Sequence, residues 1–189
     1  MLKIKSLVLL SAFSVMGCFA VSATYAAEEA KTVETKPAAA KLNDAQIAHI
    51  AYTAGDLDIK GAEIALKKTK NPEVKAFAEN MVRDHKAVND QALALVKKLG
   101  VTPEDNDTSK ALVKQAEETN VKLSSLDGDA FDKAYAANEV AYHQTVNGAL
   151  ANTLIPSATN AELKEFLTTG HKLFTGHEEH AKKVVAGLK

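Results

Sequence analysis

Four long stretches of this chain repeat apolar residues at the spacing of an α-helix, and this pattern most restricts the possible fold. The stretches cover about residues 43–69, 71–99, 129–152 and 160–189, and in each one apolar residues recur every three or four positions. No run alternates apolar and polar residues for long enough to indicate a β-strand. Only nine glycines and four prolines interrupt the chain. The sequence therefore predicts an all-α protein.

Breaks between the stretches predict how the helices are connected. Asn71-Pro72 separates the first two helices, Gly100 ends the second, and Ile155-Pro156-Ser157 is expected to break the third. Short connections make the first pair and the last pair antiparallel hairpins. The longer connection between the second and third helices carries a shorter helix over about residues 108–123. This pattern predicts a four-helix bundle with an extra helix in its crossover.

The first part of the chain has the pattern of an export signal. Lys3 and Lys5 precede an uncharged apolar run over residues 7–21, and small residues up to Ala26 precede two glutamates. This indicates a signal peptide over residues 1–26, because a run of about 15 residues is short for a membrane span. Alternatively, Cys18 lies in a sequence that resembles a bacterial lipobox. We therefore expect a periplasmic protein, or one anchored in the outer membrane through lipidated Cys18.

Residues 27–41 differ in composition from the rest of the chain. They are rich in alanine, lysine and glutamate and contain Pro37, which is typical of a disordered linker. The folded domain is then expected over residues 42–189, with no transmembrane span in the mature chain.

Composition and missing motifs exclude several functional classes. The formal net charge is −1 and the chain has a single arginine, Arg83, which argues against nucleic-acid binding. One cysteine excludes an internal disulfide, a four-cysteine zinc site and a cysteine-ligated iron–sulfur cluster. A glycine-rich phosphate loop and a serine nucleophile elbow are also missing from the sequence.

Ionisable residues fall on the apolar faces of all four long helices. They are Asp58 on the first helix, His85 on the second, Glu139 and His143 on the third, and His177 on the fourth. Such groups are costly to bury unless they are paired or bind a cation. Imidazole and carboxylate ligands suit zinc, iron, copper or manganese. Two interpretations stay open: a shared metal or polar cluster, and histidine–carboxylate bonds that only fix helix packing.

Two familiar metal motifs are not present. Di-iron bundles carry Glu-x-x-His on two helices, and no histidine of the predicted bundle has glutamate three positions before it. His177-Glu178-Glu179-His180 has the wrong spacing for a zinc protease, which needs histidines four positions apart. His49 and His171 have no partner at a ligand spacing, and we expect both at the surface.

Three segments in order resemble the motifs of a bacterial family called domain of unknown function 4142. They are residues 71–85 (NPEVKAFAENMVRDH), residues 131–143 with FDKAY and EVAYH, and His177 followed by Ala181. The resemblance covers about residues 42–189 and implies a ferritin-like helical bundle in an exported protein. It implies no established activity. The family often has glutamate where this chain has Asp58, a shorter ligand.

These observations together predict an exported bundle that binds a metal ion or small ligand between its helices, in envelope stress or homeostasis. The alternatives are a structural or interaction protein of the periplasm, and a metalloenzyme acting on an oxidant. The cofactor is a transition metal ion if there is one, and the sequence identifies no protein partner.

Overall fold

The computed structural model describes residues 41–188, and these residues form helices and no β-strand. The long helices are α1 (Asp44–Lys68), α2 (Pro72–Leu99), α3 (Asp107–Ser124), α4 (Gly128–Ala149) and α6 (Ala161–Gly187), with the short α5 (Ile155–Ser157) after a π-helical turn (Leu150–Leu154). The all-α prediction is confirmed. The predicted signal peptide, Cys18 and all of the predicted linker except Lys41 lie outside the described residues.

The helices pack as a bundle of two hairpins. α1 packs along α2, and α4 packs along α6, as the short connections predict. The hairpins meet through contacts of α1 with α4 and of α2 with α6, while α3 lies against α1 and α4. The ferritin-like topology stays a prediction. Among the described residues, no helix is both long enough and apolar enough to cross a membrane.

Local signals fix most helix ends. Asn43 and Gln46 form a capping box at the start of α1. At the start of α2, the Asn71 side-chain oxygen accepts hydrogen bonds from the backbone N–H groups of Glu73 and Val74. Gly100 ends α2 in the left-handed conformation, with φ of 63°, which costs a residue without a Cβ little. These caps agree with the boundaries that the sequence predicts.

The expected break at Ile155-Pro156-Ser157 is wrong. The helix continues from α4 through the π-helical turn into α5, and it ends only where Ala158 becomes extended, with ψ of 127°. Pro156 is tolerated because the π-helical turn before it is wider than an α-helical turn and does not use the usual i→i−4 hydrogen bonds, in which proline cannot take part. The chain then reverses, and Asn160 caps α6.

A polar layer divides the interior into two apolar clusters. The first cluster contains the fully buried Phe77, Met81 and Tyr135, and the second contains Ile47 and Leu167. Along α1, α4 and α6, the ionisable residues of the apolar faces lie between the parts that form the two clusters. The bundle therefore surrounds these polar groups with apolar packing at both ends.

Candidate functional site

The structure brings together the five ionisable residues that the sequence places on the apolar faces. Asp58 comes from α1, His85 from α2, Glu139 and His143 from α4, and His177 from α6. Each is at most 6% exposed. We refer to these five residues as the central cluster.

The three imidazoles of the central cluster face one another. Their ring centres lie 5.8 Å apart for His85 and His143, 5.2 Å for His85 and His177, and 5.5 Å for His143 and His177. One nitrogen from each ring lies within 4.8 Å of one nitrogen from the other two. Three different helices therefore direct imidazole nitrogens to one small volume.

Asp58 lies beside two of these rings without forming an aligned hydrogen bond. Its Oδ2 atom is 3.0 Å from His85 Nε2 and 3.3 Å from His143 Nε2. The angles at these contacts are poor, so both Asp58 oxygens, His85 Nε2 and His143 Nε2 lack a hydrogen-bond partner within the described residues. The lone pairs and protons of these groups are therefore not matched by one another.

In His143 and in His177, the ring nitrogen on the outer side of the cluster has a hydrogen-bond partner. His143 Nδ1 is 3.0 Å from the backbone carbonyl oxygen of Glu139, and His177 Nε2 is 3.1 Å from Asp84 Oδ2. A carbonyl and a carboxylate can only accept, so both of these nitrogens donate. In the neutral rings, His143 Nε2 and His177 Nδ1 then carry free lone pairs. Both atoms are buried and without a partner in the described part of the chain.

Sequence reasoning did not single out Asp84 or Phe174. Asp84 is held by Arg83 at 2.8 and 3.1 Å, and it reaches His177 on α6. The Phe174 ring stacks on His85 at 4.7 Å, with 7° between the planes. Phe174 lies three residues before His177 on the same helix face, and this spacing could have placed it near the histidines from the sequence alone. For Asp84, the only signal in the sequence is that it directly precedes His85.

Burial and neighbouring charges shift the ionisation of the central cluster. Burial, and then the charge of Asp58, raise the pKa of Glu139 well above its usual value. Burial also acts to raise the pKa of Asp58, but the charges of His85, His143 and His177 outweigh it and hold that pKa below normal. Burial lowers the pKa of His143, and it lowers that of His177 to about 4, with help from the charge of His85. His143 and His177 are therefore neutral near pH 7.

A cavity of about 90 Å³ lies against the carboxylate side of the central cluster. Residues of α1, α3 and α4 line it, and within residues 41–188 Asp58 and Glu139 are the only charged residues that do so. The other polar residues around it carry hydroxyl or amide groups.

The remaining histidines of the described chain stay outside the central cluster. His180 packs the edge of its ring against Phe77, with ring centres 5.1 Å apart. His49 and His171, which the sequence places at the surface, are partly buried in the structure.

The fold and the site define an all-α bundle protein with a buried cluster of three histidines and two carboxylates. The chain belongs to the family described as domain of unknown function DUF4142, whose profile matches residues 28–184. This confirms the family that the motifs indicate. No curated protein shows significant similarity to the chain.

One solved structure with a similar fold is "CopM in the Cu(II)-bound form". Its TM-score is 0.60 at 14% identity, and the similarity covers 79% of this chain and 99% of that chain. At this identity the similarity shows the helical fold alone.

Proposed function

We propose that this protein binds a transition-metal ion inside its bundle through the imidazoles of His85, His143 and His177. The observation that carries the proposal is the hydrogen bonding of the outward nitrogens of His143 and His177. Metal-ligating histidines almost always donate their other N–H to a carboxylate or a backbone carbonyl, which orients the ring and leaves the inward lone pair free. Asp84 and the Glu139 carbonyl are partners of this kind.

The distances between the imidazole nitrogens suit a metal-binding site in its metal-free form. With metal–nitrogen bonds of about 2.1 Å, ligand atoms lie roughly 3.0–3.5 Å apart. The imidazole nitrogens are within 4.8 Å of one another, so small movements of the side chains bring them to bonding positions. Asp58, next to His85 and His143, supplies negative charge at the same place.

Unpartnered polar atoms favour metal binding over a purely structural role. If the histidines only fixed helix packing, their hydrogen bonds would satisfy the buried groups. Instead, polar atoms without a partner in the described residues include Asp58 Oδ1 and Oδ2, His85 Nδ1 and Nε2, Glu139 Oε2, His143 Nε2 and His177 Nδ1. Each such atom costs about 1–3 kcal/mol. A cation bound by one nitrogen of each ring would use some of these lone pairs and remove part of that cost.

Three imidazoles with a carboxylate suit Cu(II) or Zn(II). CopM, whose fold is similar, is known in a Cu(II)-bound form, which supports Cu(II) as the first ion to test.

We propose that the protein lies in the periplasm, or on the outer membrane through Cys18, with a role in metal homeostasis or stress in the envelope. Cell fractionation with a Cys18→Ala variant tests the anchor, because only a lipidated protein is released from the membrane by this change.

Metal titration of the purified, metal-free chain tests the function. We expect Cu(II) or Zn(II) to bind at sub-micromolar concentration, and His143→Leu to weaken binding by more than about 100-fold. Asp84→Asn should weaken it by about 10–100-fold, the range for an outer partner of a ligand. His171→Leu, on α6 outside the cluster, is the matched control and should bind like the wild type. Failure to bind any transition metal at micromolar concentration would disprove the proposal.

A further inference from the structure

The cavity between α1, α3 and α4 has features of a second cation site. We propose that it holds an oxygen-ligated divalent ion of the Mn²⁺ or Mg²⁺ class, bound by Asp58 and Glu139 beside the three-histidine position. The inference rests on the proposed function, because it assigns a second ion to the same layer of the bundle.

The two carboxylates carry the first argument. Asp58 is 3% exposed and Glu139 is 2% exposed, and both have oxygens without a hydrogen-bond partner in the described chain. One oxygen of each lies within 4.8 Å of the other and of a His143 nitrogen. Two buried carboxylates this close repel each other strongly unless a proton or a cation lies between them. In the metal-free protein the raised pKa of Glu139 lets a proton meet this need, and a divalent ion would displace that proton and use the free oxygens.

The walls of the cavity carry the second argument. Gln115, Thr119 and Asn120 of α3 and Asn138 and Thr145 of α4 line it, and no lysine or arginine of the described chain does. A volume of about 90 Å³ holds several ordered water molecules. Ions such as Mn²⁺ and Mg²⁺ prefer carboxylate, carbonyl and water oxygens, and Mg²⁺ keeps part of its hydration shell. The cavity therefore supplies the surroundings that these ions need.

The hydrogen bonds of His143 separate the two positions. Its Nδ1 donates to the Glu139 carbonyl oxygen, so only Nε2 is free, and this atom belongs to the three-histidine position. The second ion then depends on Asp58, Glu139 and water. Asp58 Oδ2 lies near His85 and His143, which leaves Oδ1 for the cavity side. Imidazole ligands favour Cu(II) or Zn(II) at one position, and oxygen ligands favour Mn²⁺ or Mg²⁺ at the other.

Two-metal loading of the full chain tests the inference. The metal-free protein is equilibrated with one equivalent of Zn²⁺ and then with excess Mn²⁺, unbound ions are removed, and metal per chain is measured by mass spectrometry. We expect one Zn²⁺ and one Mn²⁺. Glu139→Gln keeps the shape of the side chain, so it should weaken Mn²⁺ binding at least about tenfold and leave Zn²⁺ bound. Glu178→Gln, which removes a carboxylate outside the cavity, should retain both ions.

A second pair of variants keeps the test decisive if Glu139→Gln does not fold. Ala116→Leu reduces the cavity from α3 and replaces none of the proposed ligands, and Ala111→Leu makes the same change at an exposed position of that helix. We expect only Ala116→Leu to weaken Mn²⁺ binding at least about tenfold, with Zn²⁺ unchanged in both.

The outcomes separate this inference from the proposed function. Zn²⁺ without Mn²⁺ in the wild type overturns the second site and leaves the three-histidine site standing. Loss of both ions in Glu139→Gln indicates one mixed site and also overturns the inference, as does unchanged Mn²⁺ binding in Ala116→Leu. A wild-type chain that binds no Zn²⁺ or other transition metal contradicts the proposed function itself.

Discussion

Replacing His177 with leucine should make the metal-free protein less sensitive to acid. His177 is 6% exposed, and burial, together with the charge of His85, lowers its pKa from 6.5 to about 4. The unfolded chain therefore binds a proton at this position more readily than the folded chain does. The stability contributed by a neutral His177 is fully present above about pH 6.5, and it is lost as the pH falls through the folded pKa.

The size of the effect follows from the pKa difference. One pKa unit corresponds to about 1.4 kcal/mol, so a shift of about 2.5 units gives about 3 kcal/mol between neutral pH and pH 4. Glu139 acts in the opposite direction, because its raised pKa gives stability that is lost as the pH rises. This contribution is common to the wild type and the variant, so it does not enter the difference between them.

Urea unfolding of the metal-free protein, followed by circular dichroism from about pH 7 to about pH 4, measures this difference. We expect the free energy of unfolding to fall by about 3 kcal/mol more in the wild type than in His177→Leu. For a domain of this size the corresponding change in melting temperature is about 6–12 °C. His171→Leu, on the same helix, should follow the wild type.

Equal loss of stability in the wild type and His177→Leu over this pH range would refute the reasoning. It would mean that the His177 ring is protonated in the folded protein, or that solvent reaches it more freely than its burial indicates. In either case the argument that its inward nitrogen carries a free lone pair at neutral pH would fail as well.

Three further predictions concern the metal and the packing. Cu(II) at 100 times its dissociation constant should stabilise the wild type by about 2.7 kcal/mol, and His85→Leu should abolish this gain in a thermal melt. Phe77→Ala removes a fully buried ring and should cost about 3–5 kcal/mol in chemical unfolding, whereas a cost below about 1 kcal/mol would contradict the packing of the first apolar cluster. A Cβ at Gly55 would overlap Asn89 Oδ1, so Gly55→Ala should lower the free energy of unfolding by about 1–3 kcal/mol. Gly148→Ala, with open space around it, should not lower it. Equal effects of the two changes would contradict this close contact of α1 and α2.

The sequence predicts the parts of this structure that depend on neighbouring residues in the chain. Caps such as Asn71 and Gly100 act within a few residues, and the helical spacing of apolar residues shows which face of each helix is buried. Because ionisable groups on those faces point inward, the helical spacing alone is enough to select His85 and His143.

Features that depend on how helices align with each other could not be predicted. Asp84 belongs to the site only because α2 places it opposite His177 on α6, and one helix pattern does not give the register of another. The π-helical turn before Pro156 is a related case, because a residue that usually ends a helix is accommodated when the preceding turn is wide. The cavity depends on how α3 lies across α1 and α4, which no local signal specifies.

The polar layer also affects how the metal-free protein unfolds locally. Because it separates the two apolar clusters, we expect the two ends of the metal-free bundle to exchange their amide protons through separate partial openings. An ion bound by the histidines of α2, α4 and α6, next to Asp58 of α1, would link these two ends into one cooperative unit. Slower amide exchange at both ends of α6, far from the ligands themselves, would then report that the centre of the bundle is occupied.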